Sequence, residues 1–275
     1  MQEVILITGC SSGIGYHAAH ALQQAGYRVF ASARKAADVE RLISEGLESV
    51  QLDMCDSASI SAAVAHISAL TDGKIDVLFN NAAYGQPGAV EDLPTAALRA
   101  QFEANVFGWH ELTRLVIPLM RRNNHGRIIQ NSSVLGLVAM KYRGAYNASK
   151  FAIEGLTDTL RIELRDTPIK VCLIEPGPIV SRFRANALAA FERNIDIANS
   201  VHRQQYEGQI QRLSQAESSN GFTLGPDAVT KALLHAIASP KPKVRYYVTF
   251  PTHLFALLKR LLPFRWLDNL LARSG

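Results

Sequence analysis

Two hydrophobic rhythms alternate along the chain. Short runs rich in aliphatic and aromatic residues fall at 4–7, 27–32, 50–53, 74–79, 127–131, 169–175 and 244–249. They read as strands, the first of them a continuous apolar run of the kind buried on both faces of a parallel sheet. Helical spacing occupies residues 16–25, 94–104, 106–122, the segment opening at Tyr146, and 226–238. Gly26 stops the first helix, Asp56 is placed to cap the helix after the third strand, and Pro176-Gly177-Pro178 breaks the chain after the sixth. Strand and helix patterns alternate with no break in composition. The pattern predicts one α/β domain over residues 1–250. Within it, residues 181–221 are long, polar and weakly patterned, which marks a lid or binding loop. Residues 251–275 form a separate helical tail.

The first strand runs into Thr8-Gly9-Cys10-Ser11-Ser12-Gly13-Ile14-Gly15 and then a helix. A strand, a glycine turn and a helix make a phosphate site, because free backbone N–H groups and the helix dipole face the anion. The spacing Gly-x-x-x-Gly-x-Gly differs from the commoner Gly-x-Gly-x-x-Gly fingerprint. The second strand ends at Ala33, where a site for NAD usually carries an acid, and Arg34 follows. Loss of the carboxylate removes a repulsion, and a guanidinium suits a 2′-phosphate. Ser11 adds a hydroxyl beside it. Asp53, at the third strand tip, is placed to meet an adenine edge, and Asn80-Asn81-Ala82-Ala83 closes the fourth strand with short residues that suit a cofactor passing close by.

Tyr146 and Lys150 are four residues apart on one helical face, and Ser133 ends the preceding strand. A phenol with a pKa near 10 is too weak an acid for work at neutral pH, and a nearby cation favours the phenolate. Lowering it by about three units needs roughly 4 kcal/mol. Tyr-x-x-x-Lys alone is an ordinary helix pair far more often than a catalytic one. The glycine turn, Asn105 and Ser133 are what turn the reading toward chemistry.

Charge and composition narrow the field. The net charge of +5 on 275 residues is modest, and no basic stripe interleaved with aromatics suggests nucleic acid. Cys10, Cys55 and Cys172 are odd in number and far apart, which suits a reducing compartment, here the cytoplasm. His17 and His20 share a helix without a third ligand, so no metal site is expected. Met1-Gln2-Glu3 leads straight into the first strand, so no signal peptide is expected, and no apolar run is long enough to span a bilayer.

The ordered set Thr8-Gly9-x-x-x-Gly13-x-Gly15, Asn80-Asn81-Ala82, Asn105, Ser133, Tyr146-x-x-x-Lys150 and Pro176-Gly177 resembles the short-chain dehydrogenase/reductase family over residues 3 to about 250. The chain is similar to the bacterial NADP-dependent aldehyde reductases of that family and to its hydroxysteroid and retinol dehydrogenases. Ala83 departs from the family, which usually has glycine there. The resemblance implies a doubly wound, Rossmann-type parallel sheet of seven strands with the cofactor NADP across the reversal of strand order. It implies that Tyr146 exchanges a proton with the substrate oxygen, that Ser133 hydrogen-bonds that oxygen, and that Lys150 holds the nicotinamide ribose and lowers the Tyr146 pKa. Asn105 would hold a water linking Lys150 to solvent. Gly9, Ser11, Gly13, Ile14, Gly15, Arg34, Asp53, Asn81, Ile179 and Ser181 would contact the cofactor. The expected activity is hydride transfer to or from an apolar aldehyde or ketone. A dinucleotide-binding regulator without catalysis is the alternative, since fold alone does not prove activity.

Two expectations concern partners. Members of the family pair through the helices that here carry Asn105 and Tyr146, and Ala148, Ala152 and Ile153 would let such helices approach in a homo-oligomer. The tail reads as two helices, 252–262 and 263–273, separated at Pro263 and mixing leucines with Lys259, Arg260, Arg265 and Arg273. Packing on the domain is the first reading of the tail, and an interfacial membrane contact the sharper one.

Overall fold

The structure, a computed structural model, describes residues 2–215 and 221–273. Residues 216–220, part of the expected lid, lie outside the described residues, as do the ends of the chain. Strands β1 (Val4–Ile7), β2 (Arg28–Ala33), β3 (Glu48–Gln51), β4 (Val77–Asn80), β5 (Gly126–Asn131), β6 (Ile169–Glu175) and β7 (Arg245–Tyr247) form one sheet. Its order is β3-β2-β1-β4-β5-β6-β7, every pair parallel. The chain winds outward from β1 to β3, then crosses back to β4 on the other side of β1. This reversal opens a crevice at the strand ends between β1 and β4, where doubly wound folds bind ligands.

Alternate strand residues feed two cores. Leu6, Leu78 and Ile128 pack with α3 (Ser57–Leu70), α5 (Gly108–Arg122) and α6 (Gly144–Glu163), the last two following α4 (Thr95–Phe102). Ile5, Ile7, Val77, Phe79 and Ile129 pack on the other face with α1 (Gly13–Gln24), α2 (Ala36–Ser44) and α9 (Pro226–Ala238). Burial on both faces explains why the central strands read as unbroken apolar runs. Between β6 and α9 lie α7 (Phe183–Asn194) and α8 (Arg203–Ser214); after β7 come α10 (Phe250–Leu261) and α11 (Phe264–Ala272).

Three differences from the sequence pattern have local causes. Helix α1 starts at Gly13 rather than Tyr16, because Ile14 and Gly15 already wind into its first turn. The helices expected at 94–104 and 106–122 are not separated at Asn105. They are joined by a π-turn over Glu103–Phe107, which bulges Asn105 inward, fully buried. Ile153, expected on an oligomer face, packs in the domain's own core at 2% exposure. The outward residues of α6 are instead Ala148, Phe151, Gly155, Leu156, Thr159 and Ile162.

Helix α6 is fastened to the sheet edge by charge. Arg245 of β7 gives the same Nη1 to Glu154 of α6 and Glu175 of β6, and Nη2 to Asp158 at 2.7 Å. Burial and the adjacent Glu154 push the Glu175 carboxyl up to about 8. Arg245, against its own burial, is held above its ordinary range by Glu154 and Glu175. Crowded carboxyls disfavour one another's charge, which is the direction of the Glu175 shift.

Candidate functional site

The glycine turn is shaped by what a side chain would strike. Gly9 and Gly13 have φ of 75° and 60°, the left-handed region. A Cβ on Gly9 would lie 2.7 Å from the Ala82 Cα, and one on Gly13 would lie 2.9 Å from the Ser181 Cβ. A Cβ on Gly15 would collide with the Gly9 carbonyl oxygen and sit 2.7 Å from Asn81 Nδ2. Ser12 caps α1 with extended backbone but makes no side-chain cap bond. The first N–H groups of α1 are thus not used by a side-chain cap, as a pyrophosphate site requires. Arg41, which the sequence pattern did not single out, donates to the Ser11 carbonyl at 2.9 Å and braces the turn from α2. Its periodic place on α2 reads as an ordinary solvated position.

A line of hydrogen bonds runs from this turn to Lys150. Thr8 Oγ1 accepts from the backbone N–H groups of Asn81 and Ala82 at 2.8 and 2.9 Å. Asn81 Nδ2 donates to the Thr8 carbonyl at 2.9 Å, and Asn81 Oδ1 accepts from Asn131 Nδ2 at 2.8 Å. The Asn131 carbonyl accepts from Lys150 Nζ at 2.7 Å. Asn81 therefore ties the ends of β1, β4 and β5 together. Asn131 was missed from sequence, although it ends β5 as Asn80 ends β4.

Lys150 is 1% exposed and lies 4.4 Å from the centre of the Trp109 ring, whose Nε1 donates to the Ala82 carbonyl at 2.7 Å. Burial pushes the Lys150 ammonium down to about 7, against the pull of Glu154 one turn on. Nζ stands 5.6 Å from the Tyr146 ring centre. Tyr146 differs from expectation in sign: burial holds the phenol above its ordinary range, with only the Ser133 hydrogen bond working downward. The lysine ammonium is turned to Asn131 and Trp109, so the protein alone does not generate the expected acid.

Ser133 faces the phenol and also accepts from the Leu135 N–H at 3.1 Å, capping a short turn over Val134–Gly136. Asn105 Nδ2 donates to the Tyr84 carbonyl at 3.0 Å and Ser149 Oγ at 3.2 Å, while its Oδ1 accepts from the Tyr84 N–H. Ala83 does not occupy the left-handed region, so its departure from glycine strains nothing.

The remaining candidates rim the crevice. Ala33 ends β2 and is buried, whereas Arg34 is exposed and, among the described residues, forms no ion pair. Asp53 Oδ1 accepts from the Cys55 N–H at 2.9 Å. Ile14 and Ile179 both pack against the same core, and Ile179 bridges to Leu224. Ser181 Oγ accepts from the Phe183 N–H at 3.3 Å, starting α7. Phe183 meets the Tyr146 ring edge-on at 5.2 Å. His17 and His20 bind Thr230 and Glu45, not each other.

The tail packs beside Tyr146. Phe255, Leu267 and Leu271 form one apolar cluster with Val134, Leu135 and Val138, against which Met140 and Tyr146 also pack. No described helix is long and apolar enough to cross a membrane.

Comparison with known proteins agrees with this geometry. The short chain dehydrogenase family profile matches residues 3–190. An uncharacterized oxidoreductase, YbbO of Escherichia coli K12, is 43% identical over 271 residues, 98% of this chain and 94% of that protein. A short-chain dehydrogenase/reductase of Burkholderia phymatum, solved with NAD, superposes with a TM-score of 0.78 at 27% identity, covering 98% of this chain and 95% of that one. A variant of actinorhodin polyketide ketoreductase, solved with NADPH, has a TM-score of 0.73 at 27% identity, covering 90% and 95%. A glycine turn that excludes every Cβ, an uncapped helix start and a Tyr–Lys–Ser group at the strand ends accompany that likeness, and the chain belongs to the short-chain dehydrogenase family of oxidoreductases, which use a nicotinamide dinucleotide.

Proposed function

We propose that this protein reduces an apolar aldehyde or ketone with NADPH, or oxidises the corresponding alcohol with NADP. The observation that carries the reading is the bonded line from the glycine turn through Asn81 and Asn131 to Lys150, with Tyr146 and Ser133 at its end. It supports the reading by tying the helix that carries Tyr146 and Lys150 to the glycine turn. Gly9, Gly13, Ile14 and Gly15 hold the pyrophosphate, Asp53 and Asn81 the adenosine half, Ile179 and Ser181 the carboxamide side, and Lys150 the nicotinamide ribose. Arg34 holds the 2′-phosphate, with Ser11 adding a hydroxyl, which makes NADP the preferred form.

The bound nicotinamide supplies or accepts the hydride. Ser133 orients the substrate oxygen. Tyr146 gives its phenolic proton to that oxygen in reduction and takes it back in oxidation. The resulting phenolate is stabilised by the Lys150 ammonium, and Asn105 holds the water through which a proton is returned. The apolar wall of Val134, Leu135, Val138, Phe255 and Leu267 excludes water from this exchange and selects an apolar substrate.

Two partners belong to the same reading. The exposed stripe on α6, with Phe107 at the start of α5, suits a second copy of this chain. The outer face of the tail exposes Leu257, Leu261, Phe264 and Trp266, with Lys259, Arg260, Arg265 and Arg273 against the single acid Asp268. Such a face suits an anionic bilayer surface, consistent with a cytoplasmic enzyme that touches the membrane. Deletion of residues 251–275 would disturb the packed inner face, so the test is Phe264→Ser with Trp266→Ser. The native protein is expected to sediment with anionic vesicles at low salt and the variant to stay in solution. A native protein that does not sediment rules the contact out.

The test of the activity is NADPH oxidation with a panel of aldehydes and ketones, repeated with NADH. Turnover of apolar members, faster with NADPH, is the expected result. Tight NADPH binding with no turnover of any carbonyl would mark a silent regulator instead.

A further inference from the structure

The substrate side of Tyr146 carries charges that the proposed reaction does not use. Arg143 precedes α6, Arg184 lies in the first turn of α7, and Arg212 lies in the last turn of α8. All three are half-buried. Tyr142, beside Arg143, meets the Tyr206 ring of α8 at 5.7 Å, and Tyr206 meets Phe191 of α7 at 4.9 Å, so the three elements pack together. Arg184 and Arg212 both lower the Arg143 pKa by charge. None forms an ion pair with a described residue. Among the described residues Arg143 Nη1 donates to the Met140 sulfur at 3.0 Å, and Arg212 meets the Gln209 side chain at 3.0 and 3.2 Å. Other arginines of this chain do find acids: Arg28 pairs with Glu48, Arg41 with Glu45, Arg161 with Asp158 and Arg245 with three carboxylates.

Three like charges in a half-dry place, with no acid partner among the described residues, repel one another and lose hydration. Burial, then Arg212 and Arg184, push Arg143 down to about 10, which still leaves it charged at neutral pH. An anion placed among them reverses that cost, and planar guanidinium groups match carboxylate and phosphate oxygens.

Two contacts bring the segments that carry Arg143 and Arg184 to the reacting group. Met140, which touches Arg143, packs in the apolar cluster with Tyr146. Phe183, next to Arg184, meets the Tyr146 ring. The site therefore has an apolar wall on the tail side and a cationic rim on the lid side.

We infer that Arg143, Arg184 and Arg212 bind an anionic group, a carboxylate or a phosphate monoester, carried at the far end of a substrate whose carbonyl meets Tyr146. The substrate is then an amphiphile: a carbonyl, an apolar body along the tail and an acidic end under the lid. This inference rests on the oxidoreductase reading above and names its substrate class.

The experiment compares ω-oxo acids of graded length with their methyl esters and with the matching ω-oxo alkyl phosphates, following NADPH oxidation. At the fitting length, kcat/KM for the anion should exceed that for the ester by about tenfold or more, the size of one charge-assisted contact. The preferred anion tells a carboxylate source from a phosphate one. In Arg184→Ala with Arg212→Ala the anion-to-ester ratio should fall to near one, and Arg184→Glu should bring it below one. Arg212→Lys, which keeps the charge, should retain part of the ratio and serves if the alanine variant does not fold. Equal turnover of anion and ester by the native protein, or an unchanged ratio in the double variant, overturns the anion site. If no carbonyl is turned over at all, the oxidoreductase reading fails instead. Quenching of a dansylated long-chain acid against its neutral amide then still decides whether the arginines bind an anion.

Discussion

The two ends of the crevice are built by different means. At the cofactor end the backbone sets the shape: Gly9, Gly13 and Gly15 are where they are because any Cβ would strike Ala82, Ser181 or the Gly9 carbonyl. At the substrate end side chains set it: Phe183 against Tyr146, Phe255 and Leu267 against Val134 and Leu135, and three arginines with no ion pair among the described residues. Backbone shape tolerates no substitution and accepts one class of ligand. A wall of side chains can be exchanged one residue at a time while the fold stands, so this end can change substrate within a fixed scaffold.

If that contrast is right, the heaviest loss from a single methyl group comes at the turn. Gly15→Ala is expected to weaken NADPH binding by about 100-fold or more, because the clash is with backbone that cannot move cheaply. Binding within a few-fold of native, measured by fluorescence titration, would break the distinction. Arg34 is the side-chain exception at the cofactor end. Arg34→Ala should cost NADPH about 1.5–3 kcal/mol, roughly 10- to 100-fold in affinity, and leave NADH nearly unchanged. Equal affinity of the native protein for both cofactors would remove Arg34 from the account.

The same contrast decides how much was legible from sequence. Strand β6 and helix α9 fall on their expected residues, since an apolar run and a Pro-led amphipathic segment allow one reading. The glycine spacing was visible for the same reason. Asn105 was seen as a joint, but its π-turn was not, because adding one residue to a helix leaves no mark in periodicity. Asn131 was passed over because the strand it ends was read only as a buried strand. Helical pieces were expected within 181–221, but no long apolar stripe set the bounds of α7 and α8. Arg143, Arg184 and Arg212 are far apart in sequence, and each alone looks like a solvated cation. The raised Tyr146 phenol was not legible, because spacing tells that a lysine is near and not how deeply the ring is buried; the expected lowering drew on Lys150 and a positive nicotinamide together.

The smallest effect concerns the ion cluster that holds α6 under both ends. Glu175 is pushed up to about 8, chiefly by burial, so its protonated form favours the fold. That contribution is fully present below the ordinary carboxyl value of 4.5 and is lost as pH rises through about 8. Glu175→Gln keeps the neutral shape at every pH. Its melting temperature should match native at acidic pH and exceed it by roughly 2–4 °C near pH 9. A variant that is less stable at all pH values would show that Glu175 is held charged by Arg245.

The central claim is that Tyr146 exchanges the proton while the bonded line from the glycine turn holds the cofactor separately. Tyr146→Phe tests both halves in one preparation, with NADPH affinity and kcat/KM measured on the carbonyl the native protein turns over best. The account predicts a fall in kcat/KM on the order of 10² or more, with NADPH affinity nearly unchanged. Retention of most activity, or loss of cofactor binding in step with activity, would contradict it.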